Sequence, residues 1–152
     1  MRLLHALQPN LNMKNTNKLL DCYTDAGWRK WNEAPIYLAH VLCTPDGDIP
    51  NTKRIQQPAL SSVYIEYLGL IYAMEYCLRT DNYDVHFMND NQTMIRQLQG
   101  RYRVKTENLV NLYDCAMELI DTFDAAGGTI ELTWIPRKKN MADKYVKESK
   151  NV

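Results

Sequence analysis

Apolar residues recur along the chain in two spacings, at every second residue in some stretches and at every third or fourth in others. The first spacing predicts half-buried strands and the second predicts amphipathic helices. Residues 19–27, with the sequence LLDCYTDAG, predict a short strand that ends in an acid and a turn. Residues 36–43 predict a second strand. A turn at residues 44–48 contains Pro, Asp and Gly, so we expect a hairpin into a more polar third strand at residues 49–57, at an edge of the sheet.

After these strands the pattern changes to helices separated by single strands. Residues 63–79 predict a helix that is capped by Ser61 or Ser62. Residues 83–88 predict a fourth strand, which an acid again follows. The core-facing stripe predicted for the helix consists of Ile65, Leu68, Tyr72 and Tyr76.

Three further helices and a fifth strand complete the pattern. Short helices are expected at residues 92–98 and 141–149, and residues 129–134 alternate strictly enough to predict a strand. The residues of that strand expected to face inward are Ile130, Leu132 and Trp134. A longer amphipathic helix is marked by apolar residues at spacings of three and four, namely Leu109, Leu112, Ala116, Leu119 and Phe123.

The order of these elements predicts an α/β fold with a five-stranded mixed sheet, three antiparallel strands and then parallel strands, flanked by helices. A chain of 152 residues fits one domain. We place that domain at residues 19–150. Residues 1–18 are expected to be an N-terminal extension, whose order the sequence leaves open.

The composition is that of an ordinary soluble protein, with 45% hydrophobic and 24% charged residues and a formal net charge of zero. No apolar run approaches the roughly 18 residues that suggest a membrane span. The cysteines are far apart and form no CxxC pair, which fits free thiols in a reducing compartment better than disulfides or a zinc site. We therefore expect a cytoplasmic location. The four cysteines are Cys22, Cys43, Cys77 and Cys115.

Two local stretches are basic although the whole chain is neutral. Residues 96–105 contain four basic side chains and no acid, and residues 137–150 contain six basic side chains and two acids. Such stretches can meet the phosphates of a nucleic acid. Each stretch taken alone is equally well explained as solvated surface.

Two acids, Asp25 and Asp90, each follow a predicted strand. Because neighbouring parallel strands end on the same edge of a sheet, these two side chains can approach each other. Glu66 near the start of the first helix and Asp143 at the start of the last helix can join them. An all-oxygen ligand set points to Mg²⁺ or Mn²⁺ rather than zinc. Two such ions roughly 4 Å apart would promote hydrolysis of a phosphodiester.

Each acid alone is weak evidence, because the chain contains 18 acids and a solvated or capping role is the commoner explanation. Geometry excludes some of the other acids as ligands of the same pair of ions. Asp21 shares a face with Asp25 but lies about 13 Å away along the strand. Glu75 lies more than two turns beyond Glu66, and Asp84 begins its strand instead of ending it.

The acids lie in motifs that resemble, in order, the four motifs of type 1 ribonuclease H. These motifs are YTDAG, the helix containing IEYLGLIYAM, MNDNQ and NMADKYV. The similarity is greatest to the compact subgroup whose last motif has the form WIPRxxNxAD, here WIPRKKNMADKY. Residues 102–112, YRVKTENLVNL, resemble the linker and helix of that subgroup. The resemblance extends over residues 19–149.

This resemblance implies a ribonuclease H-like fold and an endonuclease that cleaves the RNA strand of RNA–DNA hybrids, leaving 5′-phosphate and 3′-hydroxyl ends. It implies two Mg²⁺ ions, with Mn²⁺ as an alternative, and a monomer that binds the hybrid and no membrane. The catalytic and metal-binding residues would be Asp25, Glu66, Asp90 and Asp143. By the same resemblance Gln92 would contact the minor groove and Ser61 a phosphate of the DNA strand. The full set of expected substrate contacts is Ser61, Asn91, Gln92, Arg137, Lys138 and Lys139.

The chain departs from the family pattern at several places. Ser62 and Val63 replace an Asn-Asn pair before the catalytic Glu, and Ala26 replaces a Gly. The histidine that precedes the last acid in many relatives and their basic protrusion are both missing. Arg137, Lys138 or Lys139 is a candidate to replace the histidine, and hybrid affinity would rest on the two basic stretches.

Two other functions stay open at this point. A DNA nuclease or resolvase of the same fold would use similar acids, and a non-catalytic nucleic-acid-binding module would have lost one of them. The sequence contains no Walker loop, GxGxxG, GxSxG or zinc-ligand spacing, so nucleotide hydrolysis, dehydrogenase and serine-hydrolase functions lack support.

Overall fold

The fold was analysed in a computed structural model that describes residues 19–151, so the predicted extension at residues 1–18 lies outside the described residues. Within that range there are five strands and four α-helices. The strands are β1 (Leu20–Trp28), β2 (Ile36–Thr44), β3 (Gly47–Ile55), β4 (Asp84–Asn89) and β5 (Thr129–Trp134). The helices are α1 (Ser62–Arg79), α2 (Gln92–Leu98), α3 (Glu107–Ala125) and α4 (Asp143–Lys150), and a 3₁₀ turn (Arg137–Lys139) precedes α4.

The strands form one sheet in the order β3-β2-β1-β4-β5. β1 and β3 pair with β2 in antiparallel fashion, whereas β4 is parallel to both β1 and β5. This arrangement confirms the predicted mixed sheet. β1 lies at its centre, so the end of β1 is the natural place for a site.

The β2–β3 hairpin is tighter than predicted. Thr44 pairs with Gly47, which leaves a two-residue turn and starts β3 two residues before the predicted position. Gly47 has φ of +129°, a conformation that glycine adopts without steric cost. Pro50 is tolerated within β3 because this strand is at the edge of the sheet.

Helix α1 is buried on more than the one predicted stripe. Ser61 is its N-cap, and the Ser61 hydroxyl accepts a hydrogen bond from the Tyr64 N–H at 3.0 Å. Of the predicted stripe only Ile65 is fully buried; Leu68, Tyr72 and Tyr76 are half-buried. The predicted stripe covers only part of the buried surface of α1, because this helix packs against both the sheet and α3. A second side of the helix is therefore also buried. The buried residues on that side include Tyr67, Leu70, Ile71, Met74 and Cys77.

Strand β5 corrects one prediction. Ile130 and Leu132 are buried as expected, but Trp134 is 42% exposed. Trp134 is the last residue of an edge strand, and its indole N–H donates a hydrogen bond to the Asp90 carbonyl oxygen at 3.1 Å. The alternation therefore predicted the strand correctly but not the environment at its end.

Helices cover both faces of the sheet near the end of β1. Leu38 of β2 packs with Ile65 of α1 in one apolar cluster, whereas Val41 of β2 packs with Val146 of α4 in another. Each face of β2 is therefore covered by a different helix. Among residues 19–151, no helix has the length and apolar character needed to cross a lipid bilayer.

Candidate active site

The two strand-end acids meet because of the register between β1 and β4. Tyr23 pairs with Met88 in this parallel ladder. The same offset of 65 residues places Asp25 beside Asp90, each two residues beyond that pair. One carboxylate oxygen from each of Asp25, Glu66 and Asp90 lies within 4.8 Å of the other two.

Glu66 reaches this group because α1 approaches β1 unusually closely. A Cβ atom on Gly69 would lie 2.9 Å from the carbonyl oxygen of Asp25, so glycine permits this approach where a larger residue would push the helix away. Glu66 lies three residues before Gly69 on the same side of the helix. Its side chain is 6% exposed, and Asp25 is 4% exposed.

Two buried asparagines hold the acids in place. The Asn89 amide donates hydrogen bonds to a Glu66 carboxylate oxygen at 3.0 Å and to the Thr24 hydroxyl at 2.9 Å. The Asn140 amide donates to the Thr24 carbonyl oxygen at 2.9 Å and to the Asp90 carboxylate at 3.3 Å. The sequence reasoning missed Thr24, Asn89 and Asn140. The available signal was their position, next to or shortly before the acids in the same motifs.

The fourth predicted acid, Asp143, lies at the wall of the cleft and outside the group of three. Its carboxylate forms ion pairs with Lys147 at 3.0 Å and with Arg137 at 3.7 Å. Its side chain is 18% exposed. The structure therefore brings three acids into mutual contact distance and places the fourth nearby, next to two cations.

Burial and mutual repulsion raise the pKa values of the three clustered acids. Burial raises the pKa of Asp25 from its ordinary value to about 7, and the negative charge of Asp90 adds to the effect. Burial, followed by the charge of Asp25, raises the pKa of Glu66 well above its usual range. Burial also raises the pKa of Asp90, against the opposing hydrogen bond from Asn140. A divalent cation would relieve this repulsion, and all the candidate ligands are carboxylate oxygens, so the donor set fits Mg²⁺ or Mn²⁺.

The acids open into a cleft of about 460 Å³. Its wall combines the acids with two basic residues and the start of α1. The lining residues are Asp25, Ala26, Gly27, Trp28, Ser62, Glu66, Asp90, Asn91, Arg137, Asp143, Val146 and Lys150.

The three predicted substrate contacts that precede β5 differ in their position relative to the cleft. Ser61 is occupied as the N-cap of α1, and its neighbour Ser62 lines the cleft. Asn91 lines the cleft and also caps α2, where its side chain accepts from the Met94 N–H at 2.9 Å. Gln92 is the exposed first residue of α2.

The three predicted basic contacts share the 3₁₀ turn before α4. Arg137 lines the cleft and pairs with Asp143. Lys138 and Lys139 are exposed and, in the described part of the chain, lie outside the cleft lining. The turn thus directs one cation into the cleft.

Comparison with known sequences identifies the family of the chain. The profile of a family described as reverse transcriptase-like matches residues 24–149. The chain is 27% identical over 116 residues to the bifunctional protein Rv2228c of Mycobacterium tuberculosis, covering 75% of this chain and 30% of that protein. The chain thus spans about 30% of the length of the curated relatives it matches.

Comparison with solved structures finds RNase H proteins of similar fold. The N-terminal RNase H domain of Rv2228c, solved as a fusion with maltose-binding protein, has a TM-score of 0.72 and 26% identity, covering 85% of this chain and 96% of that chain. RNase H1 from the halophilic archaeon Halobacterium salinarum has a TM-score of 0.76 and 27% identity over 87% of this chain and 97% of that one. LC11-RNase H1, solved in complex with an RNA/DNA hybrid, has a TM-score of 0.72 and 25% identity over 85% and 94%.

Proposed function

Because the chain belongs to the reverse transcriptase-like family and has the fold of type 1 ribonuclease H, we propose that it hydrolyses the RNA strand of RNA–DNA hybrids. One observation of the site carries this proposal. Three carboxylates from three elements lie within 4.8 Å of one another at the base of an open cleft. Burying like charges together is unfavourable unless cations neutralise them. The arrangement therefore suits a metal-dependent hydrolase.

Asp25, Glu66 and Asp90 would hold the metal, with Asp143 completing the set from the cleft wall. Mg²⁺ is the ion we propose, with Mn²⁺ as the alternative. When bound, two such ions supply activation of the attacking water and stabilisation of the leaving oxygen in an in-line displacement. The protein fixes the ligand positions in advance, which avoids reorganisation during the reaction.

Several side chains of the site orient these ligands. Asn89 and Asn140 bind the Glu66 and Asp90 carboxylates through their amides. Hydrogen bonds of this kind orient the carboxylates that bind a metal. Arg137 lines the cleft and pairs with Asp143, so its guanidinium can also meet a negatively charged substrate phosphate.

The surface offers further contacts for a hybrid. Arg101, Arg103 and Lys105 are exposed on the loop between α2 and α3. The guanidinium of Arg96 lies 5.7 Å from the centre of the exposed Tyr102 ring, which keeps this aromatic residue within the basic stretch. LC11-RNase H1, which shares the fold, was solved in complex with an RNA/DNA hybrid. We propose that the basic loop binds hybrid phosphates and that the 2′-hydroxyl selects RNA as the cleaved strand.

A cytoplasmic location and a monomeric state stay predictions from the sequence. Gel filtration with light scattering of the purified chain would test the second of these.

The decisive experiment compares end-labelled RNA–DNA hybrid, duplex RNA and duplex DNA, each with Mg²⁺, Mn²⁺ or EDTA. We expect metal-dependent cleavage of the RNA strand of the hybrid, with 5′-phosphate and 3′-hydroxyl products. Preferential cleavage of duplex DNA would instead indicate a DNA nuclease or resolvase. Binding of the hybrid without cleavage under any metal condition would indicate a non-catalytic module.

A further inference from the structure

A lysine and a valine of the last helix, Lys150 and Val146, pack over Gly27, two residues after Asp25 on β1. Alternate residues of a strand share a face, so Gly27 lies on the same face of β1 as Asp25 and about 7 Å further along. Lys150 Nζ lies 3.1 Å, and Lys150 Cε 3.0 Å, from the position that a Cβ atom on Gly27 would occupy. The lysine side chain therefore lies across the glycine, and both residues line the cleft that contains the acids.

The backbone of Lys150 is held by a residue of the loop that follows β1. The Arg29 guanidinium donates hydrogen bonds to the Lys150 carbonyl oxygen, from Nε at 2.7 Å and also from Nη2. Lys150 is the last residue of α4, and a cation at a helix C-terminus is favourable. This contact connects the end of α4 to the end of β1, so the position of the lysine relative to Asp25 does not depend on a free helix end.

The amine of Lys150 differs in its partners from the two cations that surround Asp143. Lys147 and Arg137 both pair with Asp143. Within residues 19–151, no carboxylate lies within ion-pair distance of Lys150. An ammonium that faces a cleft without a neutralising acid suits an anionic ligand, and each phosphate of a nucleic-acid strand carries one negative charge.

We propose that Lys150 is a substrate-positioning residue that binds a phosphate of the cleaved strand beside the scissile one. This inference rests on the proposed function, because the acids on the same face of β1 define where the scissile phosphate lies. Gly27 lies about 7 Å beyond Asp25, and a nucleic-acid strand advances about 3.4 Å per nucleotide along its axis, so an ammonium packed over Gly27 lies near phosphates within about two nucleotides of the cleavage point. Fixing that phosphate would align the strand over the acids.

The test compares Lys150→Met with the control Lys53→Met in β3. Methionine keeps the length of the side chain and the apolar packing of its stem while removing the charge. Lys53 is exposed and belongs to neither basic stretch, and its amine lies 5.7 Å from the centre of the Tyr72 ring, outside the cleft lining. Lys150→Arg keeps the charge and serves as the rescue variant. The readouts are KM and kcat for hybrid cleavage, Kd from the anisotropy of a labelled hybrid, and thermal melting of each variant.

We expect Lys150→Met to raise KM and Kd about tenfold at low salt while kcat changes less than about twofold. The slope of log Kd against log salt should fall by about 0.9, the value for one lost phosphate contact. Lys150→Arg should restore most of the affinity, and Lys53→Met should match the wild type. The inference is overturned if Lys150→Met leaves Kd and the salt slope unchanged, or if Lys53→Met shifts them equally. A wild type that binds but does not cleave defeats the proposed function, while Kd still decides the role of Lys150.

Discussion

The environment of Asp25 is unfavourable for folding and favourable for binding a cation. Its carboxyl group is almost fully buried, and burial together with the charge of Asp90 raises its pKa to about 7. In the unfolded chain it ionises near 3.8. Between these pH values the unfolded state releases its proton first, so the folded state loses stability as the pH rises from about 4 to 7.

Asp25→Asn should therefore stabilise the protein when no divalent ion is present. At pH 8 in EDTA we expect the free energy of unfolding of the variant to exceed that of the wild type, by on the order of 3 kcal/mol. The difference should shrink as the pH falls from about 7 and should vanish below the unfolded pKa of 3.8, where Asp25 is neutral in both states. Urea unfolding at a series of pH values measures this. A wild type that is more stable than the variant in EDTA at pH 8 would contradict the assigned environment.

His40 is another buried titratable residue, and it takes no part in the acid site. It lies in β2, and its ring centre is 4.7 Å from that of Tyr72 and 5.0 Å from that of Tyr76. Among the described residues neither ring nitrogen has a hydrogen-bond partner. Burial, with a smaller contribution from Arg79, lowers its pKa to about 4.

His40→Phe should change the acid stability of the protein. The unfolded chain takes up the His40 proton near pH 6.5 and the folded chain only near pH 4, so wild-type stability is lost as the pH falls through this window. The His40→Phe variant has no proton to take up at this position, so it does not lose stability in this window. We expect the stability of the variant relative to the wild type to increase by about 3 kcal/mol between pH 7 and pH 4. A pH-independent difference between the two proteins would show that folding does not lower the pKa of His40.

At the scale of elements, the site depends on how closely α1 packs on β1. Gly69 makes the contact with the Asp25 backbone, and Glu66 lies one turn earlier on the same helix. Helix packing and ligand placement are therefore coupled. A displacement of α1 by a fraction of an ångström would move Glu66 relative to Asp25 and Asp90.

Gly69→Ala tests this coupling. The added methyl group would lie 2.9 Å from the Asp25 carbonyl oxygen, which is a backbone atom that cannot turn away. We expect a loss of about 1–3 kcal/mol in stability and a larger loss of kcat than of hybrid affinity. Because alanine has a higher helix propensity than glycine by about 1 kcal/mol, a net loss of stability in this variant must come from the clash. Wild-type kcat in Gly69→Ala would show that the helix spacing does not set the Glu66 position.

The sequence predicted elements better than it predicted their environments. Asp25 and Asp90 were predicted because an acid at the end of an apolar strand can be recognised from the sequence alone. The roles of Asn89, Asn140 and Lys150 could not be predicted, because they depend on which distant elements the fold brings together. Trp134 was misplaced for a similar reason, since alternation does not show where the core ends. The partial prediction for α1 arose because a single stripe cannot describe a helix buried on two sides.

At the scale of the whole molecule, the formal net charge of zero hides a separation of charge. Acids concentrate at the base of the cleft, whereas cations lie at its wall and on the loop between α2 and α3. This distribution suits an enzyme that holds cations at the reaction centre and phosphates around it. Any ligand that binds only the folded state also stabilises it, so divalent ions should offset the repulsion among the buried acids.

The most direct measurement of the central claim is hybrid cleavage by wild type and Asp25→Asn, side by side in Mg²⁺. Asparagine keeps the shape of the side chain and removes the charge that would hold the ion. We expect the variant to be folded, as urea unfolding would verify, and to cleave the RNA strand at least about a thousandfold more slowly. A folded Asp25→Asn protein that cleaves the hybrid at the wild-type rate would contradict the assignment of the buried acids as a catalytic metal site.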